Sequence, residues 1–276
     1  MLKSKWLTGP YLVWMTVFIV IPLILTGYYA FTRQTPDGLI FTVDGFRRAF
    51  EPMHLTVFWN SFRVAIVSTG LCLLFGYPVA YILTSKGFSQ KTSLILLFAV
   101  PMWMNFLLRT YAWLTILERN GVLNRILYTL GLPPIHILYT GTAVMLGMVY
   151  SFLPFMILPI YTALTKIDYS LVESAQDLGA NPLKVFTRVI FPLSVPGVIS
   201  GITMVFMPSM TVFIIPMLLG GGQYMLIGNL IERQFLSAYD WNFGASLSFI
   251  LMVIIFISMA FISRVDKEST RGTLLK

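Results

Sequence analysis

Six stretches of this sequence are apolar enough to cross a bilayer as helices, and each is close to or above the roughly 20 residues that a crossing requires. They are Pro10–Phe31, Val64–Leu83, Leu94–Leu117, Ala143–Leu164, Val189–Leu219 and Ser246–Ser263, and together they hold a single charged residue, Arg109. Only 11% of the 276 residues are charged, whereas a soluble domain carries about 25%. So little charge cannot cover a globule in water, and mean hydropathy is +0.80. Lipid must solvate much of the surface, and the fold expected is all-α: a polytopic membrane protein with six transmembrane helices. The first stretch is too long for a signal-peptide core and lacks a small-residue cleavage site, so it reads as an uncleaved anchor. The fifth exceeds one simple span, so its start is expected along the membrane surface, turning inward at Pro192 or Pro196.

The Lys/Arg distribution sets an orientation. With the N-terminus inside, the inner segments carry 11 basic and 5 acidic residues, and the outer segments 7 and 6. Lys86 and Lys91, Lys184 and Arg188, and the tail from Arg264 to Lys276 all fall inside. Both termini are therefore expected in the cytoplasm, and the net charge of +8 reflects this bias with no need of a nucleic-acid partner. Residues 1–63 are expected to form an anchor helix and an extracytoplasmic loop, residues 64–263 the transmembrane core with a cytoplasmic loop at 165–192, and residues 264–276 a cytoplasmic tail. In the outer loop, Asp44 is expected to cap a short helix whose Phe46, Ala49 and Phe50 share one face and lie in the interface. Cys72 reads as a buried, inert thiol. His54 and His136 lack partners at metal-ligand spacing and are placed in loops or at the interface, so no metal site is expected.

The inner loop between the fourth and fifth stretches carries the most local information. Ser170 and Glu173 have the spacing of a capping box. Leu171, Ala175 and Leu178 form one apolar stripe. Gly179 stands where a left-handed C-terminal cap ends a helix, and Asn181 with Pro182 starts another, which Pro192 is expected to stop. A rigid helix–glycine–helix element with an apolar face either packs on its own protein or docks into a partner's groove.

Glu173-Ser174-Ala175, with Gly179 six residues after the glutamate and Pro192 thirteen after the glycine, resembles the EAA loop of ABC importer permeases. The family pattern has Ala, Ile and Leu where this chain has Ser174, Val189 and Phe191. The resemblance implies the type I ABC importer permease fold and an ATPase-coupling loop of Ser170, Leu171, Glu173, Ser174, Ala175, Leu178, Gly179 and Pro192, with Glu173, Ala175 and Gly179 as its ATPase-contact and elbow residues. Glu173 is open to a capping role alone or to capping together with contact. Phe41–Phe46, Asp177–Ala180, Leu226–Asn229 and Asp240–Ala245 are similar to the first permease subunit of spermidine/putrescine transport systems. That likeness implies four kinds of partner: a cytoplasmic ATPase dimer, a second homologous permease, an extracytoplasmic binding protein and a small cationic solute.

No G-x-x-x-x-G-K-[ST] phosphate loop occurs. Gly220-Gly221-Gly222 is followed by Gln223 and Tyr224 and reads as an outer hinge. The chain is thus not expected to be an enzyme or to bind a cofactor, and the resemblance places ATP and Mg on the partner ATPase. A polyamine calls for aromatic faces and carboxylates. The candidate path residues are Trp103, Asn105, Tyr111, Tyr150, Met207 and, at the outer mouth, Asp240 beside Trp241. Asn105, Pro154, Pro159, Pro208 and Pro216 suggest broken helices around a path. Arg109 is expected to snorkel outward or to pair with a neighbouring subunit. An ion-driven carrier would need acids or histidines inside its spans, and none of the six contains one. Within the ABC reading, the alternative solutes are another organic cation, an opine or a phosphonate.

Overall fold

The computed structural model describes residues 3–35, 38–85 and 92–274; the expected inner charges Lys86 and Lys91 lie outside them. Among the described residues five helices are long and apolar enough to cross a membrane, and a bent pair makes a sixth crossing if counted as one. The chain divides into two compact units, one of Met1–Phe58 with Leu230–Ile257 and one of Trp59–Asn229 with Ser258–Lys276.

The first unit begins with α1 (Lys3–Met15) and α2 (Ile21–Phe31), joined by a π-turn at Thr16–Val20. A hairpin follows, β1 (Thr32–Thr35) against β2 (Gly38–Phe41), antiparallel with Thr32 opposite Phe41. The hairpin was not foreseen, although Asp37-Gly38 is a hairpin turn signature. Next come α3 (Asp44–Ala49) and the start of α4 (Pro52–Thr84). Asp44 is not the cap of α3. It sits in the first turn, and its N–H donates to Thr42 Oγ1 at 3.1 Å. Phe46 packs on Phe31 at 4.8 Å and near Phe249, whereas Phe50 is exposed. The end of α13 (Ile227–Leu236) and the start of α14 (Trp241–Leu274) complete the unit. Asn242 Nδ2 donates to Tyr29 O at 3.0 Å and Thr32 O at 2.9 Å, and Ser246 Oγ to Ala30 O at 3.1 Å. His54 corrects the loop expectation: it is buried in the first turn of α4, with Nδ1 2.7 Å from Arg48 O.

The second unit is organised by α8 (Gly141–Thr165) against α11 (Phe191–Thr211). A Cβ on Gly197 would stand 2.5 Å from Ala163 Cβ, and one on Gly201 2.7 Å from Met156 Sδ. The G-x-x-x-G spacing of these two residues lets backbones approach where lipid offers no hydrophobic drive for association. From α4, Gly76 approaches Met156 in the same way. Buried Met148, Met156, Ile157, Ile160, Val205, Ile215 and Leu219 fill the space between. Pro154 and Pro159 do not break α8, which runs unbroken through both.

The third stretch follows the sequence reading and the fifth departs from it. The third breaks at Asn105, as that residue suggested: α5 (Thr92–Trp103) ends before it and α6 (Phe106–Leu117) starts after it, with Leu94–Trp103 and Phe106–Thr129 bent by 100°. The fifth neither stops nor turns at Pro192 or Pro196. It continues from α10 (Pro182–Val185) through a π-turn, Phe186–Ile190, into α11. A proline lacks the helical N–H and its ring crowds the carbonyl four residues back. The wider π-turn, closed by Phe191 N–H to Phe186 O, provides the needed room. The remaining segment, Ile214–Leu219, is a separate helix, α12, with Ile215 and Leu219 against Gly147 of α8.

Candidate functional site

The loop between α8 and α11 is held in shape by backbone chemistry at every joint. Lys166 closes α8, and α9 (Tyr169–Asp177) begins with Asp168, whose Oδ1 accepts from Ser170 N–H at 3.0 Å. The N-cap is therefore Asp168, and the expected box of Ser170 with Glu173 does not form: Ser170 is already inside the helix, as donor to the aspartate. An ionised carboxylate is a strong acceptor for a helix N-terminus. The backbone N–H and hydroxyl of Ser170 hold the Asp168 carboxyl below its ordinary pKa.

At the other end, Gly179 N–H donates to Gln176 O at 2.8 Å and Ala180 N–H to Ala175 O at 3.0 Å. These two bonds are a Schellman motif, and Gly179 has the positive φ of 79° that it requires. Asn181 Oδ1 then accepts from Lys184 N–H at 2.9 Å, with Pro182 at the first position of α10.

The loop has two faces. Val172, Val185 and Ile190 are buried and, with Tyr81, Leu164 and Gln176, line a cavity of about 550 Å³. On the other face Leu171 is 47%, Leu178 88% and Leu183 69% exposed. Ala175 is half-buried, so the expected stripe is exposed at its ends only; Glu173 and Ser174 are exposed. A rigid element with protruding leucines suits docking into a groove.

The other candidates are spread out. Trp103 is 80% exposed at the end of α5. Asn105 caps α6, accepting from Leu107 N–H at 2.9 Å. Tyr111 is exposed, Met207 is half-buried, and Tyr150 stands edge-on to Trp113 at 5.1 Å. Asp240 and Trp241 belong to the first unit. Asp240 is engaged: Arg48 Nη1 donates to it at 2.7 Å, and Phe243 N–H at 3.1 Å. Partial burial pushes its pKa up, but the bonds from Arg48 and Phe243 and the charges of Arg48 and Arg33 outweigh this, leaving the carboxyl below its ordinary value. Trp241 packs between Tyr29 and Phe235.

Arg109 does not snorkel. It is buried and folds back across the break, donating Nη1–H to Pro101 O at 2.7 Å beneath the Phe106 and Tyr150 rings. A cation is favourable at the C-terminal end of α5, where carbonyls lack helical partners. Tyr77 and Ser194, buried and hydrogen-bonded beside the loop at 2.9 Å, were also missed. The available signal was Tyr77 and Tyr81, one turn apart on α4 and facing the loop's Phe186. Among the described residues no three His, Cys, Asp or Glu side chains cluster as metal ligands.

Solved structures share the fold. A bacterial ABC transporter involved in import of the acidic polysaccharide alginate aligns over 96% of both chains with TM-score 0.75 and 21% identity. The MetNI methionine ABC transporter in an inward-facing form covers 79% of this chain and 98% of that one, at TM-score 0.58 and 16% identity. Among curated relatives, the spermidine/putrescine transport system permease protein PotB of Escherichia coli is 39% identical over 87% of this chain and 90% of its own. The Haemophilus influenzae PotB is 38% identical over 95% and 94%. The inner membrane ABC transporter permease protein YdcU of Escherichia coli is 28% identical over 94% and 88%. Residues 1–270 match the model of the binding-protein-dependent transport system inner membrane component, and the chain belongs to that family.

Proposed function

We propose that this chain is a permease subunit of an ATP-driven polyamine importer, forming half of the path for spermidine and putrescine. The observation that carries the reading is the identity of 38–39% with PotB proteins across at least 87% of the chain. In this reading a second permease completes the path, an extracytoplasmic binding protein delivers solute, and a cytoplasmic ATPase dimer holding ATP and Mg docks on residues 165–192. Leu171, Leu178 and Leu183, exposed on one element, support that docking face. Both termini lie in the cytoplasm, as the positive-inside bias indicates.

The test is uptake of radiolabelled spermidine and putrescine in a strain lacking the gene, with and without the gene restored. Uptake falling to background for at least one polyamine, and returning on complementation, is the expected result. Unchanged uptake of both overturns the polyamine assignment and directs the same assay to other organic cations, opines and phosphonates.

A further inference from the structure

The π-turn at Phe186–Ile190 links α10 to α11, so movement of the loop reaches α11 along the chain through it. Phe191 N–H bonds back to Phe186 O. Two hydroxyls lead to the carbonyl of that same Phe191. Ser194, fully buried, donates to Phe191 O at 2.9 Å. With that proton committed, the Tyr77 hydroxyl of α4 is the donor across the 2.9 Å contact to Ser194 Oγ. Tyr77 O–H and Ser194 O–H thus run in series from α4 to the Phe191 carbonyl, and the N–H of the same residue closes the turn on Phe186 O.

Aromatic packing follows the same line. Phe186 meets Tyr77 edge-on at 5.8 Å and Tyr81 at 5.6 Å, and Phe191 lies 5.8 Å from Tyr77. Tyr81, Val185 and Ile190 also line the 550 Å³ cavity, so the turn is latched on one side and has room on the other. A π-turn holds one residue more than an α-turn. It shifts register in whole steps, and packed interfaces are bistable rather than continuously deformable.

We propose that Tyr77 and Ser194 are positioning residues for energy coupling: their hydrogen bond holds the π-turn in the register that passes movement of loop 165–192 to α4 and α11 together. This rests on the reading of that loop as the ATPase dock. The hydroxyls touch neither solute nor nucleotide, and their effect is on how much transport each ATP produces.

The experiment uses the whole transporter in proteoliposomes, with Tyr77→Phe, Ser194→Ala and the double variant, each removing hydroxyl groups alone. Expected for Tyr77→Phe are unchanged ATPase co-purification and hydrolysis, and spermidine import per ATP lower by about fivefold, the scale of one buried hydrogen bond. Ser194→Ala, which also removes the bond to Phe191 O, gives at least that loss, and the double variant is no worse than Ser194→Ala, because the Tyr77–Ser194 bond is already absent from it. A second readout needs no solute. Spin labels at Arg188 and Leu74, in a Cys72→Ala background, keep a constant separation when the unaltered transporter binds ATP, and change separation in Tyr77→Phe. An unchanged import-to-ATP ratio with constant separation overturns the proposal, as does a parallel fall in assembly and both activities. An unaltered transporter that imports neither polyamine overturns the substrate reading, and the spin-label arm still decides this one.

Discussion

The two π-turns solve the same local problem and differ in everything around them. Thr16–Val20 closes with Ile21 N–H to Thr16 O just before Pro22, and Phe186–Ile190 closes with Phe191 N–H to Phe186 O just before Pro192. In both, the proline would crowd a carbonyl one turn back, and the wider turn relieves it. The first turn buries none of its residues, and its helix exposes Val13, Phe18 and Ile24 at 64–65%, a surface suited to lipid. The second is tied to α4 by rings and a hydroxyl chain and feeds a helix packed through two glycines. A π-turn before a proline is thus a local accommodation. It becomes a mechanical element only where neighbours fix its register.

The largest expected effect tests that difference in packing. At Gly197 of α11 any side chain meets Ala163 Cβ at 2.5 Å and Pro159 O at 2.7 Å, whereas at Gly27 of α2 nothing lies within 4 Å. Gly197→Leu is expected to cost roughly 3 kcal/mol and to abolish a monodisperse peak on size exclusion. Gly27→Leu is expected to leave the peak intact and raise the melting temperature slightly, since glycine inside a helix costs about 1 kcal/mol. Equal damage at both sites breaks the comparison.

Removing each proline sharpens it. Pro192→Ala restores the missing N–H and lets the turn relax to α, which rotates α11 against α10 by about 100° per residue lost and carries Ser194 away from Tyr77. Transport is expected to fall by about tenfold, a loss of order 1.4 kcal/mol. Pro22→Ala makes the same local change where no residue of the turn is buried, and is expected to alter uptake by less than about twofold.

The sequence made the spans, the loop and its glycine legible because each rests on local rules. A crossing needs length and apolarity, and Gly179, Asn181 and Pro182 occupy positions that few other residues fill. What it hid was set by competition or by tertiary contact. Asp168 outcompeted Ser170 for the cap because an ionised carboxylate accepts more strongly than a hydroxyl. Pro154 and Pro159 looked like breaks, yet α8 stays whole beneath α11. The break that Asn105 suggested does form, but the tie that holds it, Arg109 on Pro101 O, shows only when the guanidinium can be traced eight residues back. Asp240 looked like a free carboxylate because its partner, Arg48, is 192 residues away.

A pair of left-handed glycines separates strain from position. Gly179 has φ of 79° and Gly222 of 76°, and neither has an atom within 4 Å of a built Cβ. Alanine at either pays the same conformational cost, about 1–2 kcal/mol. Gly179 lies in the loop beside the second π-turn, and Gly222 in the turn after α12. Both variants are expected to melt a few degrees lower, while only Gly179→Ala reduces ATPase co-purification. Loss of the ATPase from Gly222→Ala as well would show that global destabilisation, not loop geometry, governs docking.

The smallest effect concerns the unit that holds the first π-turn, where an ion pair adds to close packing such as that of Gly45 on Ser246. Arg48 and Asp240 are paired at 2.7 Å with side chains 42% and 33% exposed, so solvent screening limits the pair to about 0.5–1 kcal/mol. The folded-state pKa of Asp240 lies below its ordinary value. The unfolded chain therefore binds the proton more readily, and the contribution is complete above the ordinary carboxylate pKa, near 4, and is lost as pH falls through the folded value. Asp240→Asn keeps an acceptor for the Phe243 N–H but removes the charge. Its melting temperature is expected about 1–3 °C below that of the unaltered chain at pH 7, with the gap closing on acidification toward pH 3. A gap that persists at low pH would assign the difference to the cap on α14 instead of the ion pair.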